Sequence, residues 1–155
     1  NQLLIKLHPR GDRINNENKK NFSNFLNITN QNIILSQENN INTVRKQSRL
    51  MIHGYEGTSF YEDIGKNNPS FLILKHGYKI IRDEALSMFR LLEQIGIAHY
   101  DEQESAKIIT DVSNDISYWW RDRARQKSLV KFRDKYCRTA MHPEKLLFKF
   151  INQNL

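Results

Sequence analysis

The sequence has one cysteine, few glycines and prolines, and no long apolar run, and these absences narrow what the chain can be. A single cysteine, Cys137, cannot form an internal disulfide and makes a cysteine-rich zinc site implausible. One unpaired thiol fits a reducing, intracellular location, although the compartment stays unknown. No stretch reaches the roughly 18 apolar residues that span a bilayer, so we expect no membrane partner.

Metal-ligand and catalytic signatures are also missing. The histidines are scattered without ligand spacing, so we predict no metal and no cofactor; they are His8, His53, His76, His99 and His142. The loop from Gly54 to Ser59 lacks the lysine and the spacing of a phosphate-binding loop, and we reject that function. A non-enzymatic protein is therefore favoured. The enzymatic alternative is a metal-dependent nuclease, with Glu62, Asp63 and Lys75 as candidate residues.

Positive charge is what the sequence has in excess. Its 24 lysines and arginines outnumber 17 aspartates and glutamates, which gives a net charge of +7 at pH 7. Such a balance favours acidic partners. Ribosomal, DNA-binding and membrane-surface proteins all share it, so the total charge alone does not identify the partner.

Asparagine-rich composition separates the start of the chain from the rest. We predict an N-terminal arm, residues 1–54, with short strands at 3–7 and 33–35 and weak helices at 19–28 and 41–51. Residues 55–155 should form a helical domain. The first residue, Asn1, is not a methionine, and we expect the chain to be a fragment of a longer protein.

Clear start signals for helices occur in the second part. Asp83 and Asp101 are the predicted N-cap residues of two helices, and Pro143 is the predicted first residue of a third. In the last of these helices we expect the apolar side chains to face inward: Leu146, Leu147, Phe150 and Ile151. Residues 71–74 and 78–81 flank a turn at His76-Gly77 and predict a hairpin. The predicted fold class is mainly helical α+β, with short N-terminal strands and a small hairpin followed by a C-terminal helical bundle.

Residues 102–140 could form one long helix or two. The apolar positions of the two halves differ in helical phase by more than supercoiling allows, so a break is favoured. Residues 106–113 resemble the first helix and turn of helix-turn-helix DNA-binding domains. That resemblance implies a recognition helix from Asn114 to Arg125, with Trp120 as its core aromatic residue. An alternative break lies at residues 126–128.

The basic segment 119–138 carries the functional hypothesis. Five cations recur every three or four residues and share one helix face, which we call the cation row: Arg123, Lys127, Lys131, Lys135 and Arg138. Arg121, Arg125 and Trp120 extend the predicted set of nucleic-acid-binding residues. Closely spaced cations can contact nucleic-acid phosphates, and aromatic rings beside them can stack on bases.

The predicted function is non-catalytic nucleic-acid binding through this basic helix. DNA is the partner if the helix-turn-helix is real, and RNA within an assembly with other protein chains is the alternative. A second alternative is an interaction module that docks an acidic protein partner. The sequence does not decide sequence preference or oligomeric state.

Overall fold

Strand pairing is parallel throughout the part of the chain that the computed structural model describes, residues 3–5, 33–36, 38, 40–138 and 143–153. The chain divides into two compact units, Asn1–Gln47 and Ser48–Leu155. The units divide between Gln47 and Ser48, whereas the sequence predicts a domain boundary after Gly54. That domain boundary stays a prediction. The mainly helical α+β class is confirmed.

The first unit contains two short strands and a helix. Strands β1, Leu3–Ile5, and β2, Ile33–Leu35, pair in parallel, and the backbone N–H of Ser36 extends the ladder to the carbonyl of Ile5 at 2.7 Å. Both predicted strands are therefore present. Helix α1, Ile41–Gln47, is shorter than the predicted helix 41–51. The helix predicted at 19–28 lies outside the described residues.

The second unit is built on a parallel sheet of three strands within the described residues, in the order β3-β4-β5. Helices lie between the strands, as parallel pairing requires. The elements in chain order are β3 Met51–His53, α2 Thr58–Gly65, β4 Ser70–Ile73, a 3₁₀ helix Gly77–Ile80, α3 Asp83–Gln94 and β5 Ala98–His99. The strands are only two to four residues long.

The predicted hairpin is wrong. β4 pairs with β3 on one side and β5 on the other, and residues 77–80 form the 3₁₀ helix instead of a returning strand. Phe71 and Leu72 are both fully buried although they point to opposite faces. A short apolar run of this kind is typical of a parallel strand covered on both faces, and it is hard to distinguish from a hairpin arm.

Residues 102–138 form three helices and not one long helix. They are α4 Glu102–Val112, α5 Ile116–Trp120 and α6 Arg123–Tyr136. The favoured break is confirmed, whereas the alternative break at residues 126–128 is wrong because it lies inside α6. The helix-turn-helix prediction is wrong as well. Its recognition helix, Asn114 to Arg125, is interrupted at Arg121-Asp122, and α5 has only five residues.

Aspartate caps fix where these helices begin. The side chains of Asp101, Asp115 and Asp122 each accept a hydrogen bond from a backbone N–H three residues later, at 2.7, 2.9 and 2.8 Å. Such a bond satisfies one of the unpaired donors of a helix start. The cap at Asp101 was predicted from the sequence, whereas those at Asp115 and Asp122 were not. The cap predicted at Asp83 is wrong, because Arg82 precedes helix α3 and Asp83 is its first residue.

The core of the second unit lies between the sheet and helices α2, α3 and α6. Phe60 of α2, Phe89 of α3 and Phe132 of α6 are buried, and their rings meet edge to face with centroids about 6 Å apart. Leu72 from β4 and Leu129 from α6 complete the contact. This packing holds α6 by one side and leaves its other side in solvent.

Helix α7, Pro143–Gln153, begins at the predicted proline. The four side chains that were predicted to face inward are exposed by 45% to 65%, so that prediction is wrong; they are Leu146, Leu147, Phe150 and Ile151. None of the helices in the described ranges is long and apolar enough to cross a bilayer.

Arg125 joins three elements of the second unit. Its Nε donates to the carbonyl of Ile95 at 2.8 Å, and its Nη1 donates to the carbonyl of Trp119. The guanidinium also lies 4.5 Å from the centroid of the Trp119 indole. Burial lowers the pKa of Arg125, which Asp122 partly offsets. Arg125 is thus a structural cation that binds the ends of α3 and α5.

We predict that Arg125→Ala lowers the free energy of unfolding by about 2–3 kcal/mol, because two carbonyls lose a charged donor. Urea denaturation of the chain measures this loss. Arg123→Ala is the matched control, since Arg123 is exposed on the same helix, and its effect should stay within about 0.5 kcal/mol. Equal effects of the two substitutions would contradict the structural role of Arg125.

Candidate functional site

The carboxyl ends of the three parallel strands meet at one edge of the sheet, which we call the carboxyl edge. β3 ends at His53 and is followed by a loop, residues 54–57, that leads into α2. Lys75 follows β4, and its Nζ lies 3.6 Å from Oε1 of Glu102, which opens α4 after β5. In open parallel sheets this edge is where ligands bind.

His53, the last residue of β3, faces Asp63 in the last turn of α2. Nε2 of His53 lies 3.2 Å from Oδ2 of Asp63, whose side chain is fully buried, while 9% of the His53 side chain stays exposed. The other carboxylate oxygen, Oδ1, accepts a hydrogen bond from Nδ2 of Asn68 at 2.9 Å. The structure records no hydrogen bond between Nε2 of His53 and Oδ2 of Asp63, so the contact is a close approach of an imidazole to a carboxylate. An imidazole that donated from Nε2 to this carboxylate would keep Nδ1 as a proton acceptor and could then serve as a base.

The loop between β3 and α2 is tightly packed at its end. A Cβ on Gly57 would lie 2.2 Å from the ring of Tyr55, so this position needs glycine unless the ring moves. A Cβ on Gly54 would meet nothing within 4 Å, so the space next to Gly54 is open. Oε2 of Glu56 is buried without a hydrogen-bond partner in the described part. A buried carboxylate oxygen without a donor is costly, and Nε2 of His53 is in the same state.

Two tyrosines border the carboxyl edge after β4 and β5. The hydroxyl of Tyr78 donates to Oε2 of Glu93, and its ring lies 4.7 Å from that of Tyr100 and 5.6 Å below the guanidinium of Arg90. Burial, and then the neighbouring Tyr78, raise the pKa of Tyr100 far above its ordinary value. Tyr100 therefore stays protonated, and its contact with the 3₁₀ segment is the packing of its ring on Tyr78.

The predicted nucleic-acid-binding residues do not all lie on one exposed surface. Arg123, Lys127 and Lys131 are exposed along α6, and no ion pair from them is found in the part of the chain described. Lys135 donates from Nζ to the carbonyl of Glu84 at 3.3 Å, and Arg138 donates from Nε to that of Asp134 at 2.6 Å. Both of these bonds go to backbone oxygens, so the positive charge of the cation row is not neutralised by them.

Two of the predicted site residues are packed within the second unit. Trp120 is only 4% exposed, and its Nε1 donates to the carbonyl of Asn67 at 3.0 Å, so the indole cannot stack on a base. Arg125 is occupied by the carbonyls of Ile95 and Trp119. Both were selected because they lie within the basic segment, and their burial depends on packing that the spacing does not reveal.

Arg121 lies apart from the cation row, at the end of α5. It is exposed beside a cleft of about 400 Å³, whose lining residues are Asn67, Pro69, Ser117, Trp120, Arg121 and Gln126. Asn67 and Pro69 precede β4, so this cleft opens at the amino end of the strand. It is separate from the carboxyl edge.

The nuclease candidates do not form a metal site in the described part of the chain. Asp63 faces His53, and Lys75 pairs with Glu102. Within the described residues, no group of three or more histidine, cysteine or acidic side chains could hold a metal ion. His53 and Asp63 were each noted in the sequence for other reasons. Their pairing went unnoticed because it requires α2 to pack against β3.

Comparison with known proteins gives one informative match. Residues 1–151 match the family model described as LIC12162 family transferase. No curated protein and no solved structure matches the chain significantly. The family model covers nearly the whole sequence, so the chain belongs to the LIC12162 family of transferases.

Proposed function

We propose that the chain takes part in group transfer and that the transferred group is handled at the carboxyl edge. The observation that carries this proposal is the His53–Asp63 pair, 3.2 Å apart, at the end of β3. Membership of a transferase family supports it independently. Open space beside Gly54 gives a substrate room to approach the imidazole.

The donor in this proposal is a nucleoside diphosphate ester. Nucleotides bind outside the carboxyl ends of parallel strands, with phosphates at the loop that leads into the next helix. Here that loop contains Gly54 and Gly57, and α2 begins without a side-chain cap on its first turn. A net charge of +7 also favours an anionic substrate. The loop is not a Walker-type motif, in agreement with the sequence.

His53 acts in this proposal as the general base. Its Nδ1 takes the proton of an acceptor hydroxyl, and the oxygen uses the freed electron pair to form a bond to the transferred group. The bond from that group to the donor diphosphate breaks, and the diphosphate leaves with the bonding pair. Asp63 holds the imidazole in position and stabilises the imidazolium that forms.

Nucleotide binding is the first prediction. Isothermal titration calorimetry with UDP, CDP, GDP and ADP should show saturable binding of at least one of them. Gly54→Leu should weaken that binding by about tenfold or more, because the new side chain fills space that the fold leaves open. Thr110→Leu, at an exposed position of α4, is the control and should bind as the parent does. A chain that binds none of the four nucleotides contradicts the proposed donor class.

The role of Asp63 gives the second prediction. Asp63→Asn keeps the size of the side chain and an oxygen for Asn68, yet removes the negative charge beside His53. We expect kcat for transfer from the nucleotide ester that binds to fall by about 10²–10⁴-fold, with little change in KM. Release of nucleoside diphosphate measures the rate. Unchanged kcat with normal nucleotide binding would remove the base from the mechanism and leave the donor site intact.

A second candidate function is nucleic-acid binding through the cation row. It is favoured by the exposure of Arg123, Lys127 and Lys131 without ion pairs in the described chain. The three side chains follow one another along α6 at intervals of four residues, so a phosphate backbone could contact them in succession. Trp120 and Arg125 take no part in this candidate function.

Salt dependence tests this candidate. Affinity for duplex DNA and for structured RNA should fall with salt, with a log–log slope of roughly −3 if three phosphates are contacted. Reversing Lys127, Lys131 and Lys135 to glutamate should flatten the slope. The control reverses three exposed lysines elsewhere, Lys46, Lys79 and Lys107, which changes the net charge equally. If both triple variants behave alike, total charge and not the cation row governs binding.

A further inference from the structure

The residues that line the cleft beside Arg121 favour a negatively charged ligand. It measures about 400 Å³, which lies within the usual size of small-molecule sites. None of its lining residues is acidic, and one of them is an arginine. An exposed guanidinium beside a concave surface without carboxylates attracts anions.

Three hydrogen-bond donors lie around the cleft. They are the guanidinium of Arg121, the hydroxyl of Ser117 and Nδ2 of Asn67, and all three residues are exposed to solvent at the cleft. The amide of Asn67 is oriented, because its Oδ1 accepts from Nε1 of Trp120 at 3.2 Å. The guanidinium and the amide nitrogen only donate, and the serine hydroxyl can donate as well as accept, so an oxyanion, which only accepts, matches all three.

The floor of the cleft is held in place by its own hydrogen bonds. Nε1 of Trp120 donates to the carbonyl of Asn67 at 3.0 Å, and Nε2 of Gln126 donates to the carbonyl of Trp120 at 2.7 Å. Oε1 of Gln126 accepts from Arg133 at 3.4 Å. A floor fixed in this way costs little to organise when a ligand binds.

We propose that this cleft binds the oxyanion of a small molecule, a phosphoryl or carboxylate group, held by Arg121, Ser117 and Asn67. The planar guanidinium suits a two-point contact with such a group, and the other donors complete its coordination. The site lies at the amino end of β4 and does not depend on the carboxyl edge. The two proposed sites are adjacent, however, because Asn67 of the cleft precedes Asn68, whose Nδ2 donates to Asp63.

Nuclear magnetic resonance of the tryptophan indole groups tests the proposal on the full chain. The sequence has two tryptophans, so two indole N–H signals are expected, and Trp119→Phe identifies that of Trp120. Inorganic phosphate should shift the Trp120 signal along a saturable curve in the millimolar range. Sodium acetate at equal ionic strength is the second arm. Saturation by one or both anions supports the site and names the oxyanion it prefers.

Arg121→Gln should abolish the saturable shift or weaken binding by about tenfold or more. Arg123→Gln is the matched control, because it removes one exposed arginine two residues away and should bind as the parent does. Ser117→Ala should weaken binding severalfold without disturbing α5, since alanine favours helix. A backbone amide spectrum checks that each variant is folded. Linear shifts in the parent, or equal behaviour of Arg121→Gln and Arg123→Gln, would overturn the proposal.

Discussion

Burial of β4 on both faces is the constraint on which the second unit depends. Leu72 packs into the core beside Phe60, whereas the ring of Phe71, on the opposite face, stacks on His99 with centroids 4.1 Å apart. A strand that pairs in parallel with a neighbour on each side must be connected to each neighbour by a crossover, and here helices form both crossovers and pack on the sheet. The carboxyl ends of all three strands then converge at one edge. The location of His53 follows from this arrangement.

The features of the fold that local chemistry controls could be predicted from the sequence. Pro143 opens a helix because its fixed φ suits that position, and Asp101 caps α4 because its carboxylate reaches a free N–H. The direction of strand pairing could not be predicted, because four apolar residues in a row fit a hairpin arm and a central parallel strand equally well. Only the contacts of Phe71 and Leu72 with distant elements decide between them.

For the candidate sites, too, the features set by local spacing could be predicted, and those set by contacts between distant residues could not. The cation row could be predicted because four-residue spacing places side chains on one helix face wherever the helix lies. Burial of Trp120 depends on Asn67, and the pairing of His53 with Asp63 depends on α2 lying against β3. Residues this far apart in the chain, or on different elements, carry no shared local signal. Sequence reasoning therefore located the exposed positive charge correctly and missed the buried histidine–aspartate pair.

One arginine limits how freely the basic surface can be altered. Arg125 belongs to the positively charged segment by sequence, yet it is bound where the carbonyl ends of α3 and α5 come together. Helix carboxyl ends favour a cation, and here a forked one is needed to reach both oxygens. A lysine would keep the charge but offer a single ammonium. A redesign that replaces the arginines of this surface by lysine would therefore have to keep Arg125. Otherwise the ends of α3 and α5 would lose a hydrogen bond that connects them.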